Sequence, residues 1–210
     1  KAIIRQRCYT STMKIILIVF GALGLAFVVF QHFLKYNMNS VECQPYELLE
    51  NKGDFELRYY PSVNIAQITS KSTSYDDLSS NGFRQLAGYI FGGNDKNESI
   101  AMTSPVQVDV NDSLSTMSFM MPKKYDINDL PTPKDSSVRI LQTVEECVAV
   151  ISFGGFADDT KIKENSDKLA KLLKENNLLP LGHFRWFGYN PPYQIIGRKN
   201  EIVVKVDSVR

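Results

Sequence analysis

The hydrophobic pattern opens with an uncharged run, IILIVFGALGLAFVVFQHFL at residues 15–34, bounded by Lys14 and Lys35. At ~1.5 Å per residue a helix of that length spans about 30 Å, the thickness of a bilayer's hydrocarbon core. A helix apolar on every side would need a far larger protein around it to be buried, so a core helix does not fit. A retained anchor and a cleaved signal peptide both do. Met13 and Lys14 would suit the start of a signal, but the run is long for one and no small-residue cleavage site follows, which favours the anchor. Lys1, Arg5, Arg7 and Lys14 precede the run and only Lys35 follows closely. The positive-inside rule then puts the N-terminus in the cytoplasm and the rest of the chain on the opposite side; a cleaved segment would leave it secreted or lumenal. Residues 1–14 are read as a tail, and its opening at Lys1 in place of Met as an incomplete or mis-called start.

A polar stretch at 35–45 reads as a linker, and from residue 46 to 210 short runs rich in β-branched and aromatic residues take over. The spacing predicts strands at 55–60, 63–69, 100–110, 115–121, 138–144, 147–153, 183–189 and 201–206. Two segments carry helical periodicity instead. The first, 75–91, sets Leu78, Phe83, Leu86 and Ile90 on one stripe, with Ser74 and Asp77 resembling a capping box. The second, 159–177, sets Ile162, Leu169, Leu172 and Leu173 on one side and ends at Asn176, Asn177 and Pro180. Each helix has two strands before it and two after, so the domain reads as two ββαββ halves joined by LPTPKDSS. The expected class is α+β, with eight antiparallel strands closing around a shared core and both helices outside.

Charge narrows the functions. Lysine and arginine number 24 against 23 aspartates and glutamates, so no global basic field draws the chain to nucleic acid. Cys8, Cys43 and Cys147 are far apart and lack a C-x-x-C pair. Cys43 and Cys147 are the one pair on the same side of the span, and free thiols are the expected state. No nucleophile elbow, zinc-protease, Walker or dinucleotide signature is present. With His32 inside the apolar run and His183 alone at a strand start, a multi-histidine metal site cannot be assembled. Gly92, Gly93 and Asn94 follow the first helix, where the dipole is negative, so they read as a C-cap and not as a phosphate loop.

Several segments together resemble the SOUL haem-binding family. The strongest is GYIFGGNDKNESIAMTSPV at 88–106; FELRYYP (55–61), SFMMP (118–122), PTPKDSSVRI (131–140), VAVISFGGFA (148–157), GYNPPY (188–193) and GRKNEIVV (197–204) follow the family's order over about 160 residues. The resemblance implies a distorted eight-stranded barrel of two pseudo-symmetric halves. It also implies non-covalent haem or another porphyrin on an apolar surface that includes the first helix. A porphyrin needs a flat apolar patch and cations for its propionates. Tyr75, Phe83 and Ala87, beside Leu86, are candidates for the patch, and Arg84, with Arg58, Arg198 and Lys199 behind it, for a propionate. Where family members carry a histidine after the Glu-x-Arg of the first strand, this chain has Tyr59, a candidate ferric-iron ligand. The function implied is a membrane-tethered, non-catalytic tetrapyrrole binder for buffering, transport or sensing. Its rivals are a receptor for flat apolar ligands in general and a tetrapyrrole-modifying enzyme.

Overall fold

The computed structural model describes residues 2–38, 41–111 and 114–207. Its elements run α1 (Ala2–Met38), β1 (Glu47–Asn51), β2 (Glu56–Tyr60), β3 (Asn64–Ser70), α2 (Tyr75–Ile90), β4 (Val106–Asp109), β5 (Ser115–Met120), β6 (Arg139–Gln142), β7 (Glu146–Gly154), α3 (Asp159–Glu175), β8 (Arg185–Gly188) and β9 (Lys199–Lys205). Each of the eight expected strands and both expected domain helices is present.

The strands form one antiparallel sheet in the order β1-β2-β7-β9-β8-β4-β5-β3-β6. Taken as β2-β3-α2-β4-β5 and β6-β7-α3-β8-β9, the halves make that order, from β2 to β6, read the same from either end. Each half lends its first strand to the other, β2 to β7 and β6 to β3, and β4 and β8 join them at the centre.

The expected closed eight-stranded barrel needs correcting in two respects. A ninth strand, β1, precedes the eight, and all five of its residues are exposed. Without a buried face, ELLEN shows no period-two signal. Nor does the ladder close: β1 and β6 are the two ends of the order, and three of the four β6 residues are exposed. Glu47, Glu50 and Asn51 on β1 and Arg139 and Gln142 on β6 keep both end strands as exposed, charged or polar edges that oppose edge-to-edge pairing. The result is a curled half-barrel.

Both helices pack on one face, α2 against β3 and β5, α3 against β7 and β9. Beneath them an apolar row in register, Ile151, Ile202, Trp186, Val108, Met117 and Ile68, crosses six strands. All six are buried. α2 contributes Leu78, Leu86, Tyr89 and Ile90, and α3 contributes Leu169 and Leu173. Phe83 does not join the stripe on which its spacing placed it. Gly82 holds the inward position, where a Cβ would lie 2.8 Å from the Ile68 side chain, and Phe83 turns outward.

Among the described residues no helix packs on the opposite face, yet Tyr60, Val148, Val150, Phe187 and Val203 are buried there, as the curl of the sheet requires. Of the segment read as a linker, residues 42–44 run beside Ser104: its amide donates to the Glu42 carbonyl at 2.9 Å, and the Gln44 amide donates to the Ser104 carbonyl at 2.8 Å. α1 is longer than the apolar run, and its stretch Met13–Tyr36 meets the length and composition of a membrane-crossing helix.

Candidate ligand-binding surface

α2 is held at both ends. Its first turn is capped from the other half: Asp159, the first residue of α3, accepts the Ser74 hydroxyl and the Tyr75 amide, each at 2.8 Å. The local capping box expected from Ser74 and Asp77 falls on Asp77, whose side chain lies outside the described residues. At the other end the expected C-cap is present. Gly92 takes φ +102°, and the Gly93 amide returns to the Gly88 carbonyl at 2.8 Å, where a Cβ on Gly93 would lie 2.5 Å from that oxygen. The fully buried Asn94 side chain donates to the Tyr89 and Glu98 carbonyls at 3.1 and 2.8 Å, and accepts the Glu98 amide at 3.0 Å. A helix fixed this way is a rigid platform.

Its outward side carries one bare apolar ridge beside the exposed Asn81, Arg84 and Gln85. Phe83 (38% exposed) stacks edge-on against Phe119, with ring centroids 5.3 Å apart. Ala87 and Phe91 (69% exposed) follow at helical i+4 steps, so the three form one ridge about 12 Å long. Gly88 beside them adds no side chain, and a Cβ there would meet nothing within 4 Å. Arg84 follows Phe83 on the same helix and is exposed. Phe83, Arg84 and Ala87 are therefore together, as anticipated. Phe91 and Gly88 escaped notice, although the i+4 step from Phe83 through Ala87 leads directly to Phe91.

Tyr75 and Tyr59 lie elsewhere. Tyr75 sits two turns before Phe83, in a groove of 370 Å³ between α2, α3 and the central strands, with its ring centroid 4.6 Å from that of Trp186. The Trp186 Nε1 is buried without a hydrogen-bond acceptor, and His183 stands exposed on the same groove. Tyr59 is on β2, separated from β5 under α2 by β7, β9, β8 and β4. Its hydroxyl donates to Glu145 at 2.5 Å. That bond, with some burial and the nearby charge of Glu145, raises the pKa of the phenol above its usual value. Glu47, Glu146 and Asp207 line the same cavity, so its surroundings are acidic.

The candidate cations behind Arg84 have other partners. Arg58 (3% exposed) grips the fully buried Glu201 with both Nη atoms, at 3.2 and 3.1 Å, on the helix-free face. Glu56 at 2.6 Å completes its shell. Glu201 also accepts the Tyr189 hydroxyl at 2.6 Å and the Ser152 hydroxyl at 3.3 Å, and pairs with Lys199 at 2.9 Å. Burial alone would raise the Glu201 pKa, but Arg58, Tyr189 and Lys199 outweigh it and hold the carboxyl below the ordinary range. Burial and Glu201 together push Tyr60 up to about 12. Cys43 and Cys147 are free thiols, and no group of three metal-ligating side chains occurs among the described residues.

The family model for the SOUL heme-binding protein matches residues 41–205, which includes every strand and both domain helices. The chain belongs to the SOUL family. Among its relatives, heme-binding protein 2 of Mus musculus is 31% identical over 166 residues, covering 75% of this chain and 80% of the relative. Heme-binding protein 2 of Homo sapiens is 32% identical over 158 residues, covering 71% and 77%. Heme-binding protein 1 of Xenopus laevis is 27% identical over 166 residues, covering 73% and 87%. Among solved structures, the EcmrR C-terminal domain aligns with a TM-score of 0.54 at 10% identity, over 78% of this chain and 99% of that one. An uncharacterized conserved protein from Listeria innocua gives 0.55 at 10% identity, over 73% and 92%. At these identities the two structures speak to the fold alone. The SOUL match ends short of α1, whose apolar stretch lies before residue 41.

Proposed function

We propose that this SOUL chain binds haem or a related tetrapyrrole non-covalently on the outward face of α2, and that α1 tethers it to a membrane. The observation that carries the site is the bare ridge Phe83–Ala87–Phe91 on a helix whose other side is fully engaged in the core. Family membership, and relatives named for heme binding, support the ligand class. A flat ring lies across the ridge and Gly88, and Arg84 faces one propionate. Haem bound there would supply an iron, and Phe83, Arg84, Ala87 and Gly88 would hold the ring and one propionate without offering that iron a ligand. Tyr59 is excluded from that role in this reading: Glu145 retains its phenolic proton, and the acidic cavity around it repels propionates. The reading is of a binder for buffering, transport or sensing and not of an enzyme; haem consumed over time with a reductant overturns that part.

Titration of haemin into the full chain in lipid nanodiscs, with empty discs subtracted, tests the binding. A saturable Soret shift at one haem per chain is expected, and non-saturating partition no greater than that of empty discs overturns it. The anchor is tested by alkaline carbonate: α1 keeps the chain in the membrane pellet, and release into the supernatant contradicts a retained span.

A second reading rests on a separate observation. The groove holding Tyr75 and Trp186 has a buried indole N–H without an acceptor, which suits a flat apolar ligand carrying one hydrogen-bond acceptor. Tyr75→Ala separates the two: it weakens such a ligand and leaves haemin on the ridge unaffected.

A further inference from the structure

Gln31 lies within the apolar stretch Met13–Tyr36 and is 2% exposed, although its neighbours Phe30 (50%) and Phe33 (59%) are bare. What covers it is the loop between β8 and β9. The Gln31 side chain donates to the Tyr193 carbonyl at 3.3 Å and accepts the Ile195 and Ile196 amides at 2.8 and 3.4 Å. Gln31 is five residues inside the end of the stretch, roughly 7–8 Å along the helix axis. A loop bonded to that position cannot stand clear of a bilayer that the stretch crosses.

The loop is built for such a place. Tyr193 (60% exposed), Ile195 (52%) and Ile196 (46%) point outward from it, and Pro191 and Pro192 have no amide hydrogen to satisfy. Arg198 donates to the carbonyls of Pro191 and Gln194, both at 2.7 Å, and of Asn190 at 3.3 Å. The Gln194 side chain donates to the Ile196 carbonyl at 3.1 Å. With Gln31, these bonds engage the carbonyls of Pro191, Tyr193, Gln194 and Ile196 and the amides of Ile195 and Ile196, which lowers the cost of entering a medium that supplies few partners. Lys35 lies alongside Gly197, within 4 Å of where a Cβ would stand, and so brings a cation to the base of the loop.

We propose that residues 191–196 are a membrane-interface wedge: Tyr193, Ile195 and Ile196 enter the headgroup–acyl boundary of the phospholipid leaflet from which α1 emerges. The partner is the bilayer, and the proposal rests on reading α1 as a span. Two attachments, a helix and a wedge, fix the tilt of the half-barrel over the membrane, which a single tether leaves free. Tyrosine suits the headgroup level and isoleucine the shallow acyl region.

The test uses the full chain in phosphatidylcholine nanodiscs, with Cys8, Cys43 and Cys147 replaced by alanine and a nitrobenzoxadiazole probe on one introduced cysteine. Leu25→Cys reports the span, Ile195→Cys the wedge and Lys168→Cys, on exposed α3, the solvent. Lipids spin-labelled near the headgroup should quench the Ile195 probe strongly and the Lys168 probe not at all, whereas labels deep in the acyl chain should quench the Leu25 probe. Adding Gln31→Leu should release the loop, lowering the Ile195 signal and leaving Leu25 unchanged. Quenching at Leu25 with none at Ile195 overturns the wedge and leaves the span intact; no quenching at Leu25 overturns both. Should the cysteine-free chain not fold, benzoylphenylalanine at Ile195 in the native background gives the same decision. A lipid adduct in the mass spectrum supports the wedge, and its absence on illumination in nanodiscs rejects it.

Discussion

Glu201→Gln is the most informative single change on the helix-free face. The substitution keeps volume and shape but removes the charge that Arg58 grips with two nitrogens, and it turns an amide donor toward a donor. Arg58 stays charged and buried, because an arginine does not shed its proton. Breaking a buried pair by removing one partner costs about 3–5 kcal/mol. Glu56, still 2.6 Å from Arg58, sets the effect at the lower end. A loss of about 3 kcal/mol in a domain of this size lowers the melting midpoint by roughly 6–12 °C. Differential scanning fluorimetry of the full chain in nanodiscs measures it. The companion Arg58→Leu with Glu201→Leu removes both charges and should stay within about 1.5 kcal/mol of the wild type. A midpoint shift below about 2 °C for Glu201→Gln refutes the reasoning, since Glu56 alone would then compensate Arg58. Because the pair and α2 occupy opposite faces of the sheet, the folded double variant should bind haemin as the wild type does; loss of binding would move the site to the helix-free face.

Other consequences follow from the same geometry. The folded pKa of Glu201 is depressed, so its contribution is fully present above the unfolded value of ~4.3 and is lost as the pH falls through the folded one; Glu201→Gln should flatten that acid limb in urea melts. Asp159→Ala removes the carboxylate that caps α2 from across the halves and should cost about 1–2 kcal/mol, read as a lower midpoint with α3 still helical by hydrogen exchange. Phe83→Ala deletes a ring that is 38% exposed on the ridge, a loss of about 1–2 kcal/mol of contact and of the order of tenfold in haemin affinity. Tyr59→Phe should leave the ferric spectrum unchanged, and the disappearance of a tyrosinate-type charge-transfer band would instead make Tyr59 the ligand.

Much of this fold was legible because its signals are local. Runs such as CVAVISF and EIVVKV announce strands by composition, and the Gly92-Gly93-Asn94 turn announces a helix end by backbone chemistry. What stayed hidden depends on partners distant in sequence. Arg58 read as a free cation because Glu201, which buries it, lies 143 residues away. A carboxylate that caps α2 comes from Asp159, 85 residues after Ser74. β1 was invisible because an edge strand exposed on every residue has no alternation to detect. Of the site, Phe83, Arg84 and Ala87 share one surface, and their spacing already held Phe91. Tyr75 was grouped with them as a neighbour on the same helix and Tyr59 by the family's histidine position; the first turns into the groove beside Trp186, and four intervening strands set the second apart.

The binding ridge is tested most directly by one comparison: haemin titrated into wild-type chain and into Ala87→Glu in otherwise identical nanodiscs. Ala87 is at the middle of the ridge and half-buried, so glutamate there places a carboxylate under the ring and beside its propionates. Binding on α2 requires the saturable Soret shift of the wild type to disappear in the variant while far-ultraviolet circular dichroism and melting midpoint are retained. An undiminished shift in Ala87→Glu would contradict it and place the tetrapyrrole elsewhere on the fold.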